Sequence, residues 1–489
     1  ELSRTAGRER AGLPERARRA LRDAGDRALS LNAYAPAVRF YREALGSWPE
    51  GDPGRPRLLL RYGQALYRAE AAGADVLAEA AAELLDAGEL ELAAEAEVLL
   101  ADLLLHREGG REQVDAHLAH AVSLLADRPA SRSKAHVLAE RARFHLTADE
   151  AASAVACADE GLRMAEDLGL EDLRAHALST RGFARVMTGD LDGLHDLEES
   201  VAIASGANSP QAARGFNNLA SMHADLGDLA RAFELYAESR RVAERFGDAP
   251  ALRWLEVERM YERYWVGDWD AALEAGGRLL AEGGPQPTSL QELDIFLIRA
   301  KIALAREGAG AARADADRAA DLARATGAPQ ILFPTLAFRA HALTEEGDAD
   351  AAASCADELL GLWLDEGAGV TLASFWLADL AFALAGLGRG GELEEAAGRP
   401  PTATRWLEAS AAIGHGDWQG AAALFARIGS LPDEALARLR AGEGLVGARR
   451  SAEAEEDLRA ARAFYERVAA PASVRAAESV TTRMSPPRA

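Results

Sequence analysis

A glycine turn that recurs along the chain constrains the fold more than any other feature. Gly189, Gly227, Gly267, Gly308, Gly347 and Gly388 follow one another at intervals of 38 to 41 residues. On either side of each turn, apolar residues repeat at spacings of three and four, the stripe of an amphipathic helix. Residues 210–247, PQAARGFNNLASMHADLGDLARAFELYAESRRVAERFG, carry the unit in its most complete form. Its first helix shows Phe216, Leu219, Ala220 and His223, it breaks at Gly227-Asp228, and its second helix shows Ala232, Tyr236 and Ser239. Two helices joined by a tight turn cannot bury both stripes against each other, so such a hairpin must stack on copies of itself. A period near 40 that persists along the chain predicts an array, not a set of separate globular domains.

Composition narrows the class. The 489 residues are 49% hydrophobic with only 18 prolines, and strand-like alternation is absent, so the expected fold is all-α nearly throughout. There are two cysteines, Cys157 and Cys355, no signal-like apolar start and no apolar run approaching 18 residues. These point to a protein of a reducing compartment without a spanning helix, the cytoplasm by default. A formal charge of −23 disfavours nucleic acid and membrane as partners. The basic stretch Arg4–Arg22 is the local exception and reads as a solvated helix face or a lead-in. The chain opens at Glu1 without methionine and reads as a segment of a longer protein, with residues 1–13 as the lead-in from a preceding domain.

The familiar chemical signatures are missing. Lys134 and Lys301 are the only lysines and neither follows a glycine, which removes a phosphate-cradling P-loop. No His-Glu-x-x-His, Cys-x-x-Cys or Gly-x-Ser-x-Gly occurs, so no metal, cofactor or catalytic residue is expected and the segment does not read as an enzyme. His117 and His120 share a helix face but lack a third ligand nearby in sequence, and they read as solvent-facing. Cys157 and Cys355 fall at the same place in the repeat and read as small packed thiols.

The large residue, the Leu-small pair, the Gly-Asp turn and the alanine and aromatic of residues 210–247 together resemble the tetratricopeptide repeat. The resemblance implies a right-handed superhelical solenoid of about twelve hairpins, elongated because stacked repeats touch only neighbours, closed by a capping helix from Ala472 to about Thr481. Within it, residues 14–399 form the main array. Pro400-Pro401 and a shortened tenth repeat suggest a break, 400–470 hold tighter repeats, and 471–489 form the cap and tail.

The resemblance also implies that helix one of each pair lines the concave face. Carried onto repeats five to ten, it selects Phe183 and Met187; Arg214, Asn217 and Ser221; Trp254, Tyr261, Tyr264 and Trp265; Leu297 and Lys301; His341; and Phe375 and Phe382. Aromatic residues are 6% of the chain, so their concentration here marks a groove for a protein or peptide partner. The expected binding residues are Phe183, Arg214, Asn217, Trp254, Tyr261, Tyr264, Lys301 and Phe382, although the aromatics would serve equally as core. Asn217-Asn218 before Leu219-Ala220 is similar to the kinesin-light-chain-like branch of the family, where an Asn bonds the backbone of an extended peptide. Arg141, Arg181, Arg299 and Arg339 occupy a column that is normally leucine in the family, and they are expected to pair with acids on neighbouring hairpins.

The lead-in from Ala24, AGDRALSLNAYAPAVRFYREAL, its closing WPEGDP, and the ending AEEDLRAARAFYERV from Ala454 are similar to the repeat arrays that follow the ATPase in bacterial LuxR-type or AfsR-like regulators and cyclase-linked ATPases. That narrower resemblance implies a sensor or regulatory arm, in intramolecular contact with an upstream ATPase domain. The alternatives are a small-molecule inducer sensor and, less favoured, an enzyme with an unrecognised site.

Overall fold

The computed structural model describes residues 13–104, 110–148, 150–282, 290–326, 329–365, 374–397 and 403–484. Among them there are 25 helices and no strand. The first three hairpins are α1–α2 (Leu13–Ser30, Tyr34–Leu45), α3–α4 (Arg55–Glu70, Ala74–Asp86) and α5–α6 (Leu90–Leu104, Gly110–Leu125). The next three are α7–α8 (Arg132–Thr147, Ala151–Asp167), α9–α10 (Glu171–Met187, Gly193–Gly206) and α11–α12 (Gln211–Asp225, Leu229–Phe246). Then come α13–α14 (Ala249–Val266, Trp269–Glu282), α15–α16 (Leu290–Arg306, Ala309–Thr326) and α17–α18 (Pro329–Glu346, Ala349–Asp365). The last are α19–α20 (Trp376–Gly386, Gly390–Ala397), α21–α22 (Arg405–Gly414, Trp418–Ile428) and α23–α24 (Leu431–Gly447, Ser451–Arg467), followed by α25 (Pro471–Met484). The tenth hairpin is shortened, as its sequence suggests, with a second helix of 8 residues. Pro400-Pro401, the loop beginning at Gly283 and the tail beyond Met484 lie outside the described residues.

The recurring turn works by two local devices. Each of the six ruler glycines has a positive φ, from 71° to 108°, a conformation that costs a glycine little and ends helix one. The aspartate that often follows then caps helix two: Asp228 accepts from the backbone N–H of Arg231, and Asp417 from that of Gly420. Four residues into helix two a small side chain meets helix one. Ala37, Ala154, Ala232, Ala272, Ala312, Ala352, Ala421 and Ala454 hold this place and are all fully buried. In the fifth hairpin the approach is closer still, since a Cβ on Gly182 would lie 2.5 Å from the carbonyl oxygen of Gly193.

The superhelix is tighter than the elongated form that neighbour-only contacts imply. α13 touches α3, five hairpins earlier, and α23, five hairpins later; α15 touches the cap α25 in the same relation. Five hairpins therefore complete one turn, and each turn rests on the next. At the seam between hairpins six and eleven, the Trp406 indole N–H donates to the Ala224 carbonyl (2.8 Å) and the Arg405 guanidinium to that of Gly227 (2.8 Å). Between hairpin eight and the cap, Arg306 donates to the Val468 carbonyl and Ser473 to that of Ala305. One continuous apolar core runs through these seams, from Leu146 to Val480.

Two substitutions test this packing. Ala232→Leu overfills a fully buried helix crossing and is expected to cost about 1 to 3 kcal/mol, read as a lower chemical-denaturation midpoint; an unchanged midpoint would refute the crossing. Trp406→Ala is expected to cost about 3 to 5 kcal/mol and to expand the particle in small-angle scattering. A variant with unchanged dimensions and stability would show that the turns do not rest on each other there.

Candidate functional site

Because first helices face inward, equivalent positions one repeat apart form columns along the concave face. One column follows the small residue of helix one, replaced by Met260 in the seventh hairpin, and runs Asp102, Arg143, Phe183, Ser221, Tyr261, Lys301, His341, Phe382. A second lies six residues before that small residue and runs His136, His176, Arg214, Trp254, Asp294. Asp102, Arg143, Phe183 and Ser221 of the first column and Arg214 and Trp254 of the second line a central cavity of about 830 Å³, whose wall takes residues of α3, α4, α5, α7, α9, α11 and α13. The ring closes where α13 returns to α3: Arg68 Nη1 donates to Asp248 Oδ2 at 3.0 Å. Asp248 also caps α13 by accepting from the N–H of Ala251, so one buried carboxylate starts the helix and shuts the ring.

A hydrogen-bonded network crosses the cavity wall from α3 to α11. The Tyr67 hydroxyl donates to Asp102, and Arg143 donates through Nη2 to Asp102 and through Nε to Glu140 Oε2 (2.7 Å). Glu140 Oε1 lies 3.6 Å from His176 Nε2 and 3.9 Å from Arg214 Nη1. Arg214 Nη1 instead donates to His176 Nε2 at 2.6 Å. Burial lowers His176 well below the usual imidazole range, reinforced by the Arg214 charge, so the ring is neutral and accepts through Nε2. Burial works against the charge of Glu140, but the Arg143 charge, the His136 hydrogen bond and the Arg214 charge outweigh it and hold the carboxyl well below its usual range. Burial, then the charge of Arg143, brings Arg214 down to about 10.

Of the eight residues expected from sequence to bind a partner, Phe183, Arg214, Asn217 and Trp254 lie on the cavity wall. Tyr261, Tyr264, Lys301 and Phe382 do not, because side chains of hairpins seven to eleven pack over them. Tyr261 packs its ring 5.1 Å from Phe375 and 5.4 Å from Trp265 and donates to Asp294 (2.6 Å); Tyr264 stacks on Trp269. Lys301 is ion-paired with Asp379, which also bonds His341, and Phe382 stacks between His341, Trp418 and Phe425. All four are 5 to 8% exposed. Alanine at Tyr261 and Tyr264 therefore removes core.

Sequence reasoning passed over Tyr67, Arg68, Asp102, Glu140, Arg143 and His176. Asp102 and Arg143 were findable, since each lies one repeat before the next in the column that contains Phe183. His117 and His120, read as solvent-facing, both direct Nδ1 to the buried carboxylate of Glu97. Among the described residues no group of three or more ligating side chains is arranged to hold a metal ion, and no helix is long and apolar enough to cross a membrane. In the arginine column, Arg181 bonds Asp196 and Asp159, Arg299 bonds Asp315, and Arg339 bonds Asp317 and the Cys355 thiol. For Arg141 no ion pair is found among the described residues.

Stacked hairpins, glycine turns, alanine crossings and inward first helices settle the architecture. The chain is a tetratricopeptide-like solenoid. No family model matches the sequence and no curated protein matches it. Similar solved structures include the Rap protein complexed with competence and sporulation factor, with a TM-score of 0.37 and 14% identity over 71% of this chain and 98% of that one. A signal transduction ATPase with numerous domains and a tetratricopeptide repeat sensor, from Pyrococcus horikoshii, has a TM-score of 0.41 and 12% identity, covering 68% of this chain and 53% of that one. The Cut9–Hcn1 hetero-tetramer of the APC/C has a TM-score of 0.43 and 14% identity, covering 96% and 94%. The fold assignment rests on the hairpins and their turns, not on these likenesses.

Below Trp254 the site carries a pH dependence. Burial pushes Asp294 up to about 7, opposed by the Tyr261 hydrogen bond. Burial also pushes Glu258 up to about 7, helped by the charge of Asp294 and opposed by Tyr236 and Trp254. Unfolded carboxylates ionise near 4, so the stability these groups contribute is present below about pH 4 and lost as pH rises through about 7. Asp294→Asn is expected to raise the melting temperature at pH 8 and leave it nearly unchanged at pH 4. Equal destabilisation at both pH values would sink the assignment.

Proposed function

We propose that the protein is a non-catalytic protein- or peptide-binding scaffold that takes an extended segment into the central cavity of its first turn. The observation that carries this reading is the convergence of complementary groups on one cavity wall. α11 presents Arg214 and Asn217, flanked by the aromatic bodies of Phe183 and Trp254. Asn218 is engaged with Ser179 Oγ, whereas the buried Oδ1 of Asn217 has no partner among the described residues. Amide and guanidinium groups on α11 can hydrogen-bond an extended backbone, and the aromatic faces supply contact area. A second reading, a small-molecule inducer sensor, is favoured by volume, since about 830 Å³ falls in the range of about 300 to 1,000 Å³ usual for small-ligand sites. In the wider proposal this solenoid is the sensor or regulatory arm of a larger bacterial signalling or transcription-regulating ATPase, supported by the resemblance of the lead-in from Ala24 and the ending from Ala454.

Peptides selected by display against the full chain test the first reading. Bound peptides are expected to protect amides of α9, α11 and α13 from hydrogen exchange, and Asn217→Ala with Trp254→Ala should weaken them roughly tenfold or more at unchanged helicity. Protection confined to the outward helices α10 and α12, or full affinity in the double variant, would overturn it. A small molecule retained in native mass spectrometry, with no peptide selected, would favour the second reading. The wider proposal requires a nucleotide-binding module encoded upstream of Glu1, and reading that coding sequence decides it.

A further inference from the structure

The first helix of hairpin twelve brings a second carboxylate to a buried cation that already has one. Lys301 of α15 is ion-paired with Asp379 of α19, and His341 of α17 donates from Nδ1 to the other oxygen of that carboxylate at 3.0 Å. Asp433, in the first turn of α23, is buried beside these three, which are buried themselves. It accepts a hydrogen bond from the Ser430 hydroxyl and forms no ion pair among the described residues. Lys301, His341 and Asp379 face it from α15, α17 and α19, the Tyr264 hydroxyl from α13 and the Tyr465 hydroxyl from α24. The Arg440 guanidinium of its own helix is committed to Glu345 and Glu443. Two carboxylates therefore share one ammonium in an enclosed space, where a second negative charge is costly and a proton removes it.

We infer that Asp433 is a proton-operated latch on the second turn: with its carboxyl neutral, α23 is held against α13, α15, α17 and α19, and with it ionised that contact loosens. Burial pushes Asp433 up to about 6, opposed by the Lys301 charge and helped by that of Asp379. An exposed aspartate ionises near 4. The stability that Asp433 contributes to the closed contact is therefore present below about pH 4 and lost as pH rises through about 6, so the latch is strengthened by acid. The helix at stake is α13, which touches α23 and also carries Trp254 on the cavity wall. The latch does not depend on what the cavity binds.

Hydrogen exchange of the full chain between pH 5 and 7, corrected for the intrinsic pH dependence of exchange, tests the latch. Opening of α23 in wild type is expected to increase roughly tenfold over that interval, and in Asp433→Asn, which stays neutral, to change little. Ser430→Ala removes the hydroxyl that favours the ionised form, so it is expected to move the change to higher pH and carries the test if the Asn variant fails to fold. Reading α23 itself separates the latch from Asp294 and Glu258, whose titration acts on α13 and α15 in every variant. Opening of α23 that is independent of pH in wild type would overturn the latch. The same tenfold increase in Asp433→Asn, or an unmoved midpoint in Ser430→Ala, would overturn it too.

Discussion

The seam where one superhelical turn rests on the next decides what every part of the concave face becomes. With five hairpins to a turn, a first helix faces both inward and toward the helix five hairpins away, as α13 faces α3 and α23. Trp406 is fully buried in this way, between Trp265 of α13, Phe425 of its own hairpin and the end of α11. Gly227 shows how close the turns come, since a Cβ there would lie 2.8 Å from that of Arg405. The same glycine ends α11 at a positive φ, so one residue serves both the hairpin and the seam. Neighbour-to-neighbour stacking alone would leave an open groove, and the added seam turns the groove into a closed ring.

The two turns solve the problem of their inner columns in opposite ways. In the first turn the columns hold Asp102, Arg143, His176 and Arg214, which bond along the wall around a hollow centre. In the second turn the same columns hold Tyr261, Lys301, His341 and Phe382, and residues such as Phe375, Asp379 and Phe425 bury them. Lys301 lies over the rings of Tyr264 and Phe338 and reaches Asp379, so its charge is met within the core. Burial pushes Asp433 of α23 up to about 6, opposed by Lys301, which sets another partly neutralised carboxyl beside this pair.

Much of the architecture was legible because its causes are local. The positive-φ glycines, the capping aspartates and the buried alanines repeat with the period of the hairpin, so twelve hairpins and a cap can be counted from sequence; the cap runs to Met484, about three residues beyond its sequence reading. Half of the expected binding residues fell on the cavity because the first-helix register is also local. Tyr261, Tyr264, Lys301 and Phe382 were misjudged for the opposite reason. What covers them comes from residues such as Phe425, Asp379 and Asp433, far along the chain, and no periodicity announces an inter-turn contact like that of Trp406 with Ala224, 182 residues apart. Asp248 shows the same limit, since its capping role is visible in sequence and its bond to Arg68, 180 residues away, is not.

The seams also differ in kind. Where α11 meets α21 and α15 meets the cap, the apolar core is continuous across the contact. Where α13 meets α3 it is not: the apolar cluster of the first two hairpins, which includes Leu58 and Leu66 of α3, holds no residue of α13. That closure instead uses Arg68, about one-third exposed, on the buried carboxylate of Asp248. Parting an apolar seam exposes surface at about 25 cal/mol per Å² and strands the buried indole of Trp406. Parting the polar one re-exposes two charges that water solvates well, which offsets much of the lost attraction. The contact between α13 and α3 therefore rests on a charge pair where the other seams rest on apolar packing.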